Sequence, residues 1–251
     1  MASFMTGKYP IFMRLLLLVG AVVAGASGAP VISDTPGASV PAPAPPLVVF
    51  LGDSLTAGYG LSEDEAYPAV VAKQLAAAGH PIRIVNAGVS GDTSAGGLRR
   101  LDWVLKQKPD VLVVGLGAND ALRGQPIEGL ETNLSAIVTK ARGAGATVLL
   151  LGMRIPTNYG PEYTEKFAAV YAKLAKEMKI ALVPFLLEGV GGHPELTQPD
   201  GLHPTAEGQR IVAENVRPYL EKVLAGVGGP NVKHIPVMTG EDEPLQRSVG
   251  R

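Results

Sequence analysis

Cysteine is absent from the 251-residue chain, which excludes disulfide scaffolds, thiolate metal sites and lipid attachment at an N-terminal cysteine. The same absence removes the usual indicator of redox compartment, so the cellular address has to come from another feature. Histidine is scarce, with four in all, which restricts both the bases open to catalysis and the sets that could ligate a metal. An excess of either charge is also missing. The formal net charge is -1 and no long basic run occurs, so nothing resembles a nucleic-acid footprint or a site for a strongly acidic partner. Small neutral or amphiphilic partners remain, and oligomeric state is unspecified.

What the chain does have is apolar residues, at 46%, enough to bury the core of a single domain with tails. Lys8 and Arg14 precede the run "LLLLVGAVVAGA" and the small residues "GASGA", the order of a secretory signal peptide over residues 1–29. An uncleaved anchor is the competing reading, but Leu15 to Ala26 is short against the roughly 20 residues a spanning helix needs. The expectation is therefore a periplasmic or secreted protein with no stable membrane insertion after cleavage. Residues 30–46 are rich in Pro and Ala and read as an extended linker, and residues 226–251 lack any period and read as a flexible tail.

Between these tails, over residues 47–225, two patterns alternate. Apolar runs at Leu47 to Leu51, Ile82 to Val85, Val111 to Leu116, Val148 to Leu151 and Ala181 to Phe185 predict strands. Helical spacing predicts helices near 68–78, 93–107, 126–143, 161–178 and 205–224. Strand runs without polar alternation must be covered on both faces, so the expected fold is an α/β three-layer sandwich around a mostly parallel five-stranded sheet. In such sheets chemistry gathers beyond the carboxyl ends of the strands.

Four of those ends carry suggestive groups. The first strand runs into Gly52, Asp53 and Ser54, which sets a hydroxyl at the rim of the sheet; a capping serine with a solvated Asp53 is the plainer reading. The second leads into "NAGVSGDTSAGGL", where Gly88 could bring a backbone N–H close to a ligand and Asp92 or Thr93 could cap the next helix. The third ends in "GLGANDALRG", where the Asn119 amide could donate to an oxyanion or close an Asx-turn. The last segment, "QPDGLHPTAEGQR", places Asp200 and His203 three apart just before a helix, so one loop can hold a carboxylate against an imidazole. Of the other histidines, His80 and His234 read as loop or tail residues, and His193 is the reserve base.

In that order the four blocks resemble the GDSL family of SGNH hydrolases, over the stretch from Leu47 to about Leu224. The resemblance is strongest to its bacterial periplasmic thioesterases, lysophospholipases and arylesterases, through "GDSLTAGYG", "SGDTSAGGLRRL", "NDALRG", "RIPTNYGPEY" and "DGLHP". It implies a flavodoxin-like sheet, hydrolysis of acyl esters or thioesters, and no metal or other cofactor. Carried over by residue, it implies a catalytic triad of Ser54, Asp200 and His203, with Ser54, Gly88 and Asn119 forming the oxyanion hole. Arg154, Ile155, Pro156 and Tyr159, in "RIPTNYGPEY", are expected to wall the acyl site. The third block departs from many relatives, with Ala118 where they have a second glycine.

Two other classes compete with this expectation. Asp53, Asn119, Asp120, Asp200 and His203 could be read as the ligands of a metal-dependent phosphoesterase, though few histidines support it. A non-catalytic secreted acyl-binding module would explain the apolar content but leaves the Ser, Asp and His order without a purpose.

Overall fold

The computed structural model describes residues 44–227. The expected signal segment, all of the linker before residue 44 and the tail beyond 227 lie outside the described residues. Five strands make one sheet: β1 (Leu47–Gly52), β2 (Arg83–Gly88), β3 (Val111–Gly115), β4 (Thr147–Leu151) and β5 (Ala181–Val183). They lie in the order β2-β1-β3-β4-β5, with every neighbouring pair parallel. This is the expected α/β sheet, in the strand order of flavodoxin-like folds. All five residues of β3 are buried, as befits a central strand covered on both faces.

Among the described residues seven α-helices accompany the strands: α1 (Ser54–Ala57), α2 (Tyr67–Ala77), α3 (Ser94–Leu105), α4 (Ala118–Leu122), α5 (Ile127–Gly143), α6 (Pro161–Met178) and α7 (Ala206–Ala225). α2 packs on α7, while α3 packs on α5 and α5 on α6. The five long helices fall close to their expected bounds. α1 and α4 do not appear in the sequence pattern, because helices this short cannot display a 3.6-residue period. β5 stops at Val183 and not at Phe185, since Pro184 has no N–H to give the ladder. β2 continues past Val85 to Gly88, pairing residue for residue with β1.

That extended pairing aligns Gly52 with Gly88 on one side and with Gly115 on the other. The three adjacent strands therefore end on a row of bare glycines, and α1 lies across it. A Cβ on Gly52 would overlap the side chain of Thr56, and one on Gly88 would run into the backbone of Ala57 and sit 2.9 Å from the Asp53 carbonyl oxygen. Each glycine is thus required by close approach of the helix that begins with Ser54.

The other end of α1 is tied down by side chains. Asn86 donates its amide to the Thr56 carbonyl at 2.8 Å and accepts the Gly88 N–H at 3.0 Å. Gln209, on α7 and 1% exposed, accepts the Tyr67 N–H at 2.8 Å and donates to the Leu55 carbonyl at 3.2 Å. One buried amide thereby joins α1, α2 and α7. Gln209→Ala leaves the Tyr67 N–H without its acceptor and opens a void, which should cost about 2–4 kcal/mol in a urea melt. A loss below about 0.5 kcal/mol would show that water replaces the amide at little cost.

Candidate active site

Asp53 and Ser54 exchange the roles suggested by their residue types. Asp53 is the cap of α1, accepting the Leu55 N–H at 3.0 Å, and is 1% exposed instead of solvated. Ser54 is the first residue of α1, and its side chain faces the cleft above the sheet.

Opposite Ser54 stands the loop before α7. Its shape is held by two strand-like contacts: the Gln198 N–H donates to the His203 carbonyl at 2.7 Å, and the Thr205 N–H to the Leu196 carbonyl at 2.9 Å. The Gln198 side chain also donates to the Tyr59 carbonyl at 2.6 Å, which fastens this loop to the segment after α1. Within the loop Asp200 accepts the N–H groups of Leu202 and His203 through Oδ1, at 2.9 and 3.0 Å. Its Oδ2 lies 2.6 Å from His203 Nδ1, and His203 Nε2 lies 2.9 Å from Ser54 Oγ. With Asp200 accepting from Nδ1–H, Nε2 is left to accept the serine hydroxyl proton.

Three hydrogen bonds to an ionised carboxylate favour the charged form. The backbone N–H of His203, its ring and the backbone N–H of Leu202 together hold Asp200 down at about 2. The Tyr59 ring stacks beside the imidazole, with centroids 4.5 Å apart. Burial acts the other way on Asp53, pushing its carboxyl up to about 6 against the opposing pull of the Leu55 N–H, Asn119 and His203.

Asn119 lies in the first turn of α4 and not in an Asx-turn loop; its Nδ2 donates to Asp53 Oδ2 at 3.3 Å. Gly88 requires a correction. Its N–H, expected to face a ligand, is donated to Asn86 Oδ1, and the residue lies under α1 away from the cleft. The glycine of this stretch that reaches the cleft is Gly91, in a turn closed by the Asp92 N–H to the Val89 carbonyl at 3.0 Å. Gly91 has φ +81, as the third position of a type II turn demands, and its N–H makes no hydrogen bond among the described residues. Arg123 clamps the turn by donating to the Gly91 carbonyl at 2.8 Å. The signal in the sequence was Ser90-Gly91 ahead of Asp92, a turn sequence competing with the glycine nearer the strand.

Thr93 caps α3, accepting the Gly96 N–H at 3.2 Å, while Asp92 pairs with Arg100 at 2.6 Å. Arg100 also donates to the carbonyls of Ala87 and Gly52, binding the ends of β2 and β1 together. Asp120 is buried and spent on Ser94, which donates both its N–H and its hydroxyl. The reserve base, His193, is exposed and sits 3.3 Å from Glu195, and the tail residue His234 lies outside the described residues. Among the described residues no group of three His, Asp or Glu side chains is placed to hold a metal ion.

The cleft over Ser54 encloses about 610 Å³, within the usual range for small-molecule sites, and its lining is mostly apolar. Leu122, Met153, Ile155, Pro156 and Phe185 form much of the wall. Arg154 stands at the same cleft with its guanidinium 5.0 Å from the centroid of the Phe185 ring. Tyr159, expected to line the cleft, instead borders a separate shallow depression beside Pro126 and Tyr163, because a short 3-10 turn at Thr157–Tyr159 carries it past the wall. No described helix is long and apolar enough to cross a membrane.

Residues 50–211 match the model of the GDSL-like Lipase/Acylhydrolase family. The chain is 48% identical to esterase TesA of Pseudomonas aeruginosa, over 70% of this chain and 89% of that one. It is 40% identical to thioesterase 1/protease 1/lysophospholipase L1 of Escherichia coli K12, over 70% of this chain and 84% of the relative. Among solved structures it is similar to the psychrotrophic esterase EstA from a Pseudoalteromonas species, inhibited by monoethylphosphonate. That match has a TM-score of 0.68 and 35% identity, and covers 72% of this chain and 99% of EstA. By its sequence, its sheet and these relatives, the chain belongs to the GDSL-like lipase/acylhydrolase family and is an ester-hydrolysing enzyme.

Proposed function

We propose that the protein is an exported serine esterase that cleaves carboxylic esters and thioesters through an acyl-enzyme on Ser54, in the manner of an arylesterase, acyl thioesterase or lysophospholipase. The observation that carries this reading is the chain of contacts Asp200 to His203 to Ser54, at 2.6 and 2.9 Å. A serine hydroxyl is a weak nucleophile until an oriented base takes its proton, and these two contacts orient one. In the first step Ser54 Oγ attacks the carbonyl carbon while its proton passes to His203 Nε2. The imidazolium, steadied by Asp200, then returns the proton to the departing alcohol or thiol. Water repeats the sequence in reverse and releases the acid.

The carbonyl oxygen becomes an oxyanion during each attack, and donors already aimed at it lower that barrier most. The candidates are the Ser54 N–H, the Asn119 side-chain amide and, in place of Gly88, the Gly91 N–H. The metal-dependent reading loses its ligands to other partners. Asp120 is spent on Ser94 and Asp200 on His203 and Leu202, while Asp53 caps α1. A non-catalytic binding module has no use for a base oriented on a hydroxyl. The substrate is a small-molecule acyl ester or thioester, its chain lying along the apolar wall that includes Ile155 and Pro156, with Arg154 beside it.

An organophosphonate should add its mass to Ser54 alone, as read by peptide mass spectrometry, and Ser54→Ala should abolish nitrophenyl-ester turnover. A label elsewhere overturns the assignment. Asp200→Asn should fold normally and lose turnover by up to roughly 10⁴-fold, the loss seen when the orienting acid of a triad is neutralised.

Export is part of the same proposal, motivated by Lys8, Arg14 and the apolar run that follows. N-terminal sequencing of the mature protein should begin between Ser27 and about Val31, whereas a cytoplasmic product retaining Met1 would overturn it.

A further inference from the structure

Asp53 adjoins the nucleophile, is 1% exposed, and has no task in the steps above. A carboxylate in such a place is costly unless both oxygens are engaged, and both are. Oδ1 accepts the Leu55 N–H at 3.0 Å, which fixes the opening turn of α1 and so the direction of the Ser54 N–H. Oδ2 accepts from the Asn119 amide at 3.3 Å, which anchors one N–H of that nitrogen and leaves the other for the cleft. Two of the three proposed oxyanion donors are therefore set by one side chain.

We propose that Asp53 is a positioning residue for the oxyanion hole, its carboxylate holding the amide nitrogen of Asn119 toward the cleft; this rests on the reading of Ser54 as nucleophile. The role belongs to the ionised form. A carboxylate accepts on both oxygens, whereas the protonated acid sets a hydroxyl donor against one of its two N–H partners. The charged or titratable groups that face it are His203 from the loop before α7, Tyr67 on α2 and Tyr171 on α6. Burial pushes Asp53 up to about 6, so the anchor is lost as pH falls through that value.

Stability runs in the opposite direction. The folded-state value lies above the unfolded 3.8, so this group's contribution is full below 3.8 and is lost as pH rises through about 6. A charge that serves turnover is kept at some expense of stability.

Asp53→Asn separates these effects, because asparagine caps a helix as well as aspartate and preserves the Leu55 contact. Its amide no longer offers a charged acceptor to Asn119. At pH 8, kcat for a nitrophenyl ester should fall roughly 10- to 10³-fold, with KM little changed, up to the loss expected when one oxyanion donor is removed outright. The melting midpoint at pH 8 should stay at or above that of wild type. The pH profile of kcat should lose the inflection that Asp53 adds near 6. In an Asn119→Ala background the same substitution should change kcat by less than about threefold, since Asp53 acts through that amide.

A kcat for Asp53→Asn within about threefold of wild type, or equal losses in the two backgrounds, overturns the proposal. Should Asp53→Asn fail to fold, Asp53→Ser replaces it: its hydroxyl can cap α1 but is too short to reach Asn119, and the same outcomes decide. Wild-type turnover, measured in parallel, keeps the two readings apart. An inactive wild type sinks the esterase assignment, whereas an active wild type with independent substitutions sinks only the role of Asp53.

Discussion

Everything at the active site depends on how closely α1 can approach the sheet. Gly52, Gly88 and Gly115 stand side by side at the ends of β1, β2 and β3, and any side chain at the first two would lift the helix. Seated there, α1 sets Ser54 at the topological switch point, where the connection from β1 to β2 and that from β3 to β4 run in opposite directions along the sheet. The seat also explains why Asn86 and Gln209 bond to carbonyls of so short a helix. α1 has too few internal hydrogen bonds to hold itself, so its ends are satisfied from β2 and α7.

Two carboxyls then divide the electrostatic work in opposite environments. Asp200 is partly exposed and gathers three hydrogen bonds, which favour its ionised form and let it steady an imidazolium. Asp53 is buried, and its ionised form survives on fewer contacts. Separate surroundings push the two apart by a wide margin, an arrangement typical of sites where acid and base roles are assigned by environment. The mostly apolar lining of the cleft lowers the local dielectric beside Ser54, which strengthens each contact.

Much of this was legible in the sequence because it was local or periodic. The strands were unbroken apolar runs, the long helices carried a 3.6-residue period, and Asp200 stood three residues from His203. What escaped was set by tertiary packing. Asp53 and Ser54 are equally good caps by residue type, and only burial under α1 decides which one turns inward. Gly88 and Gly91 lie in one glycine-rich stretch; the continuation of β2 to its last pair with β1 consumes the first and leaves the second at the cleft. Gln209 looks like any polar residue of an amphipathic helix until its two partners, on α1 and α2, are seen. Tyr159 was misplaced because a tight turn within "RIPTNYGPEY" redirects the chain after three wall residues.

The order of the parts along the chain adds a constraint of its own. The proposed nucleophile follows β1 and the proposed base precedes α7, so a fragment that lacks either end of the domain lacks the pair. Contacts of this sequence separation are costly to close, because they must overcome the loop entropy of the chain between them. The Gln209 amide and the Gln198 contact to the Tyr59 carbonyl are the ties that bring the last helix and its loop onto α1 and α2. They set the distance from His203 to Ser54 without touching either reacting atom. Catalytic geometry here is thus a property of docking α7 and its preceding loop, and substitutions at that seam should act on turnover through the base long before the sheet itself is disturbed.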